Sequence, residues 1–262
     1  MTPTPKTEAG KAGLEAILTD PAGTLIGLDF DGTLAPIVED PAAARAHPAA
    51  ADTLARLRAH VGNIVIITGR PGQDLVGSLP VLGHYGLERW ADGELDAPPE
   101  HPGVEAARKA LAAMELPPGV RVEDKGHSVA VHTRQAADPA GTLRALDGSL
   151  RELAAANGLA AEPGRFVLEL RPPGMDKGVA LRAYVESTMS RSVLYIGDDL
   201  GDLKAFDAVE ELRAAGVPGV TVASSSDEVT ELAARADLVV PGPDGVMELL
   251  ASLCERIASG AA

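Results

Sequence analysis

The run LIGLDFDGTL, residues 25–34, constrains this chain more than any other segment: an apolar stretch ends abruptly in Asp29 and Asp31, and Gly32 follows at once. Residues 24–30 read as a buried strand, because a short apolar run bounded by turn residues fits a strand covered on both faces. Such a strand delivers its two carboxylates to the C-terminal end, where ligands bind in open α/β sheets. Two acids this close repel one another without a cation between them, and Mg2+ is the hard, oxygen-seeking partner that suits them. The plain alternative is a solvated acidic turn. The spaced oxygens and terminal Glu of a calcium-binding hand are absent.

The same feature recurs in YIGDDLGD, where a second apolar run ends in Asp198, Asp199 and Asp202. Asp202 also reads as a helix N-cap, a role that coexists with function. Two strand ends carrying acids point to one shared site, since gathering the carboxylates is costly unless the gathering is used. A third run, VIITGR, ends in Thr68 and Gly69, whose hydroxyl and exposed amides form a small phosphate-binding cup. A helix cap before Pro71 accounts for Thr68 equally well. Arg70 has two open readings, a phosphate contact or a surface ion pair. Lys177 in MDKG opens a helix, where the dipole does not favour a cation. It is either a clamp for a carboxylate nucleophile and a phosphoryl group or a surface lysine.

Charge narrows the partner. With 38 acidic against 23 basic residues, the net charge of -15 repels nucleic acid and anionic membranes. It also repels a phosphorylated small molecule, so a phosphoryl-transfer site requires a local cation. The lone Cys254 excludes an internal disulfide and a cysteine-based metal site, and its place on an apolar helix face predicts burial. The opening residues carry no apolar signal segment, and no apolar run reaches membrane-spanning length, so a cytoplasmic protein is expected. The oligomeric state is left open, a monomer being compatible.

The periodicity predicts helices over 9–19, 48–61, 71–78, 103–115, 139–157, 177–188, 202–214 and 243–258. Strands are expected at 24–30, 63–68, the VLGHYG segment, VRVED, SVAVHTR, 165–171, SVLYIGDD, GVTVAS and ADLVV. Strand–helix alternation in the two flanks implies a parallel sheet covered on both faces. The composition changes at DGELDAPPEHP, residues 92–102, which reads as a linker. The expected organisation is an α/β core formed by 1–96 and 173–262, with a small α+β cap at 97–172. In that insert Glu123, Lys125, His132, Glu169 and Arg171 supply mixed donors and acceptors suited to sugar hydroxyls, or form an ordinary solvated face.

Taken together, LDFDGTL, VIITGR, MDKG and GDDLGD resemble the four ordered motifs of the haloacid-dehalogenase-like phosphatases. DFDGTLAPIVEDP, GHYGLER, SVAVHTR and LELRPPGMDKGVAL narrow the resemblance to the trehalose-6-phosphate phosphatase family, across residues 24–250. The resemblance implies a Rossmann-like core with an inserted α/β cap, and Mg2+-dependent hydrolysis of trehalose 6-phosphate. It makes Asp29 the nucleophile that becomes an aspartyl phosphate. Asp31 becomes the acid and then the base, with its carbonyl on Mg2+. Asp198 is then a direct metal ligand, supported by Asp199 or Asp202. Thr68 and Lys177 hold and neutralise the phosphoryl oxygens. Glu123, Lys125, His132 and Glu169 become sugar contacts, with Arg171 a weaker one, and the turn at 84–86 lies near the seam of core and cap. One departure stands out: Gly201 and Leu203 occupy GDDLGDL where the family commonly has Thr and Glu. Phosphatases for other sugar phosphates, a sugar phosphomutase and a silent binding domain are the competing readings.

Overall fold

The computed structural model describes residues 3–38, 43–77, 79–225 and 230–260. It divides into two compact units, one formed by Met1–Asp96 with Asp176–Ala262 and the other by Ala97–Met175. In chain order the first unit opens with helix α1 (Glu8–Thr19), strand β1 (Thr24–Leu28), α2 (Ala50–Arg58), β2 (Asn63–Ile67), β3 (Val81–Gly83), β4 (Glu88–Ala91) and β5 (Glu94–Asp96). The second unit holds α3 (Pro102–Ala113), β6 (Arg121–Asp124), β7 (Val129–His132), α4 (Pro139–Ala156), β8 (Ala160–Gly164) and β9 (Val167–Arg171). The chain then returns through α5 (Lys177–Ser187), β10 (Ser192–Gly197), α6 (Leu203–Ala214), β11 (Gly219–Ser225), α7 (Thr230–Arg235), β12 (Leu238–Pro241) and α8 (Gly242–Ser259).

The first unit is built on one sheet in the order β12-β11-β10-β1-β2-β3-β4-β5. Pairing is parallel from β12 to β3, and β4 and β5 extend it antiparallel. Alternation along the central strands feeds two cores. Ile26, Leu28, Ile64, Ile66, Leu194 and Ile196 pack toward α1, α2 and α8 through Ile17, Leu54, Leu57, Leu250 and Leu253. Leu25, Val65, Ile67, Val193 and Tyr195 point to the other face, against Leu181 of α5 and Phe206 of α6. Both faces are therefore covered, as near-continuous apolar strands require. Each such side chain contributes about 1.5–3 kcal/mol by leaving water. Cys254 is buried in the first of these cores. No helix among the described residues is long and apolar enough to cross a membrane.

The second unit has an antiparallel sheet in the order β6-β7-β9-β8. Val129, Val131, Leu168 and Leu170 face Val104 and Leu111 of α3 and Leu150 of α4. Strand alternation turns Ala130, His132, Glu169 and Arg171 to the opposite face.

Three local expectations need correction. The helix expected from Pro71 does not form over residues 71–77, which run as bends and turn. Ser78 at its end, and residues 39–42, lie outside the described residues. The segment read as a linker at 92–102 contains β5, whose three residues are all exposed. β4, β8 and α7 were not anticipated. β8 reads AAEPG, and its Pro163 is tolerated because β8 is an edge strand that pairs only with β9.

Candidate active site

Strand β1 lies between β10 and β2, so the C-terminal ends of three neighbouring parallel strands meet. Asp29 follows β1, Thr68 follows β2 and Asp198 follows β10. Asp29 is 3% exposed, Asp198 6% and Asp202 0%. Carboxylate oxygens from these three residues lie within 4.8 Å of one another, a grouping able to hold a cation.

Lys177 answers the puzzle of a cation at a helix start. Its Nζ donates to Asp29 Oδ1 and to Asp202 Oδ1, each at 2.8 Å, and stands 4.0 Å from Asp199. Asp176 caps the same helix by accepting from the Val179 amide. Burial by itself would depress the Lys177 ammonium, but the charges of Asp202 and Asp29 more than reverse this and hold its pKa well above the ordinary range.

Asp202 has a different task from its neighbours. Oδ1 accepts from Lys177 and from the Tyr195 hydroxyl at 2.6 Å, while Oδ2 accepts from the amides of Asp198 and Asp199. A carboxylate offers about four acceptor positions, and all four are taken. Burial opposes its charge, yet these donors keep its carboxyl below the usual carboxylate range. Asp202 therefore acts by fixing the Asp198–Asp199 backbone and the lysine, leaving Asp29 and Asp198 with oxygens to offer a cation. Asp199 shares a capping box with Asp202, and its side chain is exposed.

The electrostatics fit a divalent ion. Burial and the facing Asp29 carboxylate push Asp198 up to about 10, and burial, only partly offset by Lys177, raises Asp29 well above its ordinary value. Ionised together, the three buried carboxylates would outnumber the one ammonium by two charges, which a divalent cation would balance. Gly32 is part of the same design. Its φ of +74° is one that L side chains rarely adopt, and an added Cβ would lie 2.0 Å from Asp198 Oδ2. Ser224 at the end of β11 donates to the Gly32 carbonyl at 2.7 Å, tying a fourth strand to this loop. The Thr33 hydroxyl is fully buried and has no hydrogen-bond partner among the described residues.

Arg70 pairs with Asp31. Its Nε and Nη2 donate to the two carboxylate oxygens at 2.7 and 2.6 Å, and its guanidinium lies 5.2 Å from the centre of the Phe30 ring. Of the two sequence readings for Arg70, the structure thus realises an ion pair, made with a residue of the candidate site. Thr68 is buried, and its hydroxyl accepts from the Arg70 amide.

The second unit carries its own polar group. His132 Nε2 lies 2.8 Å from Glu123, Lys125 is 3.3 Å from Glu169, and Ser128 donates to Glu169. Arg171 is 3.7 Å from Glu162. The bond to His132 holds the Glu123 carboxyl below its ordinary value, with Lys125 adding to the effect. Sequence reasoning did not single out Tyr195, Ser128 or Ser224. Tyr195 and Ser224 sit two and one residues inside their strands' ends, but nothing in their type or spacing marks them.

Known proteins are similar to this chain. A family model described as trehalose-phosphatase matches residues 27–241, a span holding both acidic strand ends, Thr68, Lys177 and the whole inserted unit. This chain belongs to the trehalose-phosphatase family. It is 34% identical over 250 residues to the trehalose-phosphate phosphatase of Mycolicibacterium paratuberculosis, covering 88% of this chain and 62% of that protein. The figures for the trehalose-phosphate phosphatase of Mycobacterium marinum are 34% over 253 residues, 88% and 61%. The chain thus spans less than two thirds of the length of these relatives. An uncharacterized glycosyl hydrolase of Mycobacterium tuberculosis is 39% identical over 201 residues, which cover 70% of this chain and 15% of that one. Among solved structures, the C-terminal domain of the C. albicans trehalose-6-phosphate phosphatase superposes with a TM-score of 0.78 at 22% identity, over 97% of this chain and 99% of that one. A trehalose-6-phosphate phosphatase related protein gives 0.68, also at 22%, over 90% and 99%. These likenesses show a shared fold: an α/β core of the haloacid-dehalogenase type with a small additional α+β unit, as the sequence resemblance implied.

Proposed function

We propose that this trehalose-phosphatase family member is a Mg2+-dependent phosphatase that hydrolyses trehalose 6-phosphate to trehalose and inorganic phosphate. The observation that carries the reading is the buried Asp29 carboxylate, held 2.8 Å from Lys177 beside Asp198 and Asp202. Asp29 attacks phosphorus in line, and the bond from phosphorus to the sugar oxygen breaks as Asp31 gives that oxygen its proton. Water then attacks the phosphoryl-Asp29 intermediate, Asp31 takes its proton, and phosphate leaves. Lys177, Thr68 and Gly69 bind the phosphoryl oxygens, and Lys177 offsets their charge. Mg2+, held by Asp29, Asp198 and the Asp31 carbonyl with support from Asp199 and Asp202, would supply charge neutralisation at the transferring group. Arg70 sets Asp31 through their paired hydrogen bonds, in place of the phosphate contact that was its other open reading.

In this reading residues 1–96 and 173–262 are the catalytic core and 97–172 the specificity unit. Glu123, Lys125, His132, Glu169 and Arg171 on that unit recognise sugar hydroxyls. The net charge of -15 supports a small-molecule partner over nucleic acid or an anionic membrane. We take the enzyme to be cytoplasmic, and a monomer is compatible with this reading.

Phosphate release from a panel of sugar phosphates, with and without Mg2+, tests this. The expected result is Mg2+-dependent release with a strong preference for trehalose 6-phosphate. Preference for sucrose phosphate or a phosphorylated glycosyl-glycerate would move the substrate and keep the chemistry. Phosphate returned to a sugar without release would identify a mutase. No turnover on any member would overturn the reading.

A further inference from the structure

The segment GHYGLER is distinctive in the sequence, yet none of its side chains enters the chemistry above. Its backbone is unusual: His84 and Tyr85 have φ of +46° and +59°, and Gly86 has +97°. Two consecutive non-glycine residues in the left-handed region persist only where the surroundings over-determine them. Here the surroundings are the loop that carries Thr68, Gly69 and Arg70. The Thr68 amide donates to the Leu82 carbonyl at 3.0 Å, the Tyr85 amide to the Thr68 carbonyl at 2.9 Å, and the His84 amide to the Arg70 carbonyl at 2.8 Å. The buried Glu88 carboxylate accepts from the Gly72 amide. The Tyr85 ring is seated on Gly69 so closely that an added Cβ there would lie 2.6 Å from its hydroxyl oxygen and 2.7 Å from Cζ. Gly83 and Gly72 meet backbone to backbone, an added Cβ on Gly83 falling 2.3 Å from the Gly72 nitrogen. Every residue from 68 to 72 is thus held or faced by this turn, or lies between two that are. Arg70 carries the constraint onward to Asp31 through its paired hydrogen bonds.

We propose that residues 83–88 are a brace whose Tyr85 and Glu88 are positioning residues, fixing the phosphate cup at Thr68–Gly69 and, through Arg70, the direction of the Asp31 carboxylate. The proposal rests on the reading of this site as a phosphate-transfer site. It assigns the turn a function within one unit: the strained His84–Tyr85 backbone aims two amides at the loop, and the Tyr85 ring limits position 69 to glycine.

The test compares wild type with Glu88→Ala, Glu88→Gln and Tyr85→Asn. Asn tolerates the left-handed backbone and removes the ring. Binding of inorganic phosphate in the presence of Mg2+ is measured by calorimetry, amide exchange over residues 68–72 by mass spectrometry, and unfolding by urea. Glu88→Ala and Tyr85→Asn are expected to weaken phosphate about tenfold, the effect of one lost hydrogen bond or contact. They should also raise exchange over 68–72, while Mg2+ affinity stays at the wild-type value. Glu88→Gln, which keeps an acceptor for the Gly72 amide, is expected to restore most of the affinity. Variants that lose urea stability but bind phosphate like wild type would overturn the proposal, leaving the turn a role in folding alone. Unchanged exchange over 68–72 would overturn it as well. The proposed phosphatase activity is judged separately, on turnover by wild type, so failure of one is distinguishable from failure of the other.

Discussion

At the scale of single residues, the division of labour among the acids is the main outcome. The sequence places Asp198, Asp199 and Asp202 close together but does not say which of them is spent. Asp202 accepts four hydrogen bonds within the protein, so it supports the cation site from behind. Replacing it with Asn puts an amide NH2 against either Lys177 or the two backbone amides. Mg2+ affinity, measured by titration calorimetry, is expected to fall about 10–100-fold, the usual loss for a group that orients a ligand. Asp198→Ala, which removes an oxygen ligand, is expected to abolish measurable Mg2+ binding. Equal and complete loss in both variants would show that Asp202 binds the ion itself. Lys177 gives a second expectation. Its removal in Lys177→Met leaves Asp29 and Asp202 buried without their cation, and urea unfolding should show a loss of about 3–5 kcal/mol. The strand-end acids were legible because charge at the end of an apolar run is expensive and therefore conspicuous, whereas Thr68 and Lys177 each left a second reading open that only the structure decides. The Arg70–Asp31 pair and Tyr195 were not, because a pairing between strands depends on three-dimensional register.

At the scale of elements, the sheet order follows from strands whose apolar runs are covered on both faces, and these were legible from the pattern. What escaped were elements made without that signal. β5 reads ELD and is wholly exposed, so it has no apolar face to detect. β8 carries Pro163 and Gly164, two poor strand formers that an edge position tolerates. Pro71 suggested a helix start, but the Gly72 amide is taken by Glu88 across the loop. A further tie sits at the β12 edge of the sheet, opposite β5. Asp237, just before β12, accepts from the Thr221 amide and hydroxyl of β11 and from Thr7 and Arg213. Burial opposes its ionisation, but these donors win and hold its carboxyl below the ordinary 3.8. Its charge therefore stabilises the fold above that value, and the contribution fades as pH falls through the lower folded value. Asp237→Asn is expected to cost about 2 kcal/mol at neutral pH, with a deficit that shrinks on acidification below pH 4. Urea unfolding at several pH values checks this, and a deficit that does not change with pH would contradict it.

At the scale of the whole molecule, the proposed function asks a chain with net charge -15 to bind a phosphorylated sugar. The resolution lies in the buried site, where three carboxylates and one ammonium call for a divalent cation before a phosphate can approach. Catalysis is thus expected to be lost on chelation and restored by Mg2+. In the proposed function the identity of the sugar belongs to the second unit, and it is less legible in residue chemistry, since a face with Glu123, His132 and Glu169 suits many polyols. The central claim is that Asp29 carries the phosphoryl group. The most direct measurement is to quench the enzyme with acid during a single turnover of trehalose 6-phosphate labelled with radioactive phosphorus. The account predicts label on the peptide containing Asp29, released by hydroxylamine as an acyl phosphate is, and absent from Asp29→Asn. Free phosphate produced with no labelled protein at any time, or undiminished turnover by Asp29→Asn, would contradict it.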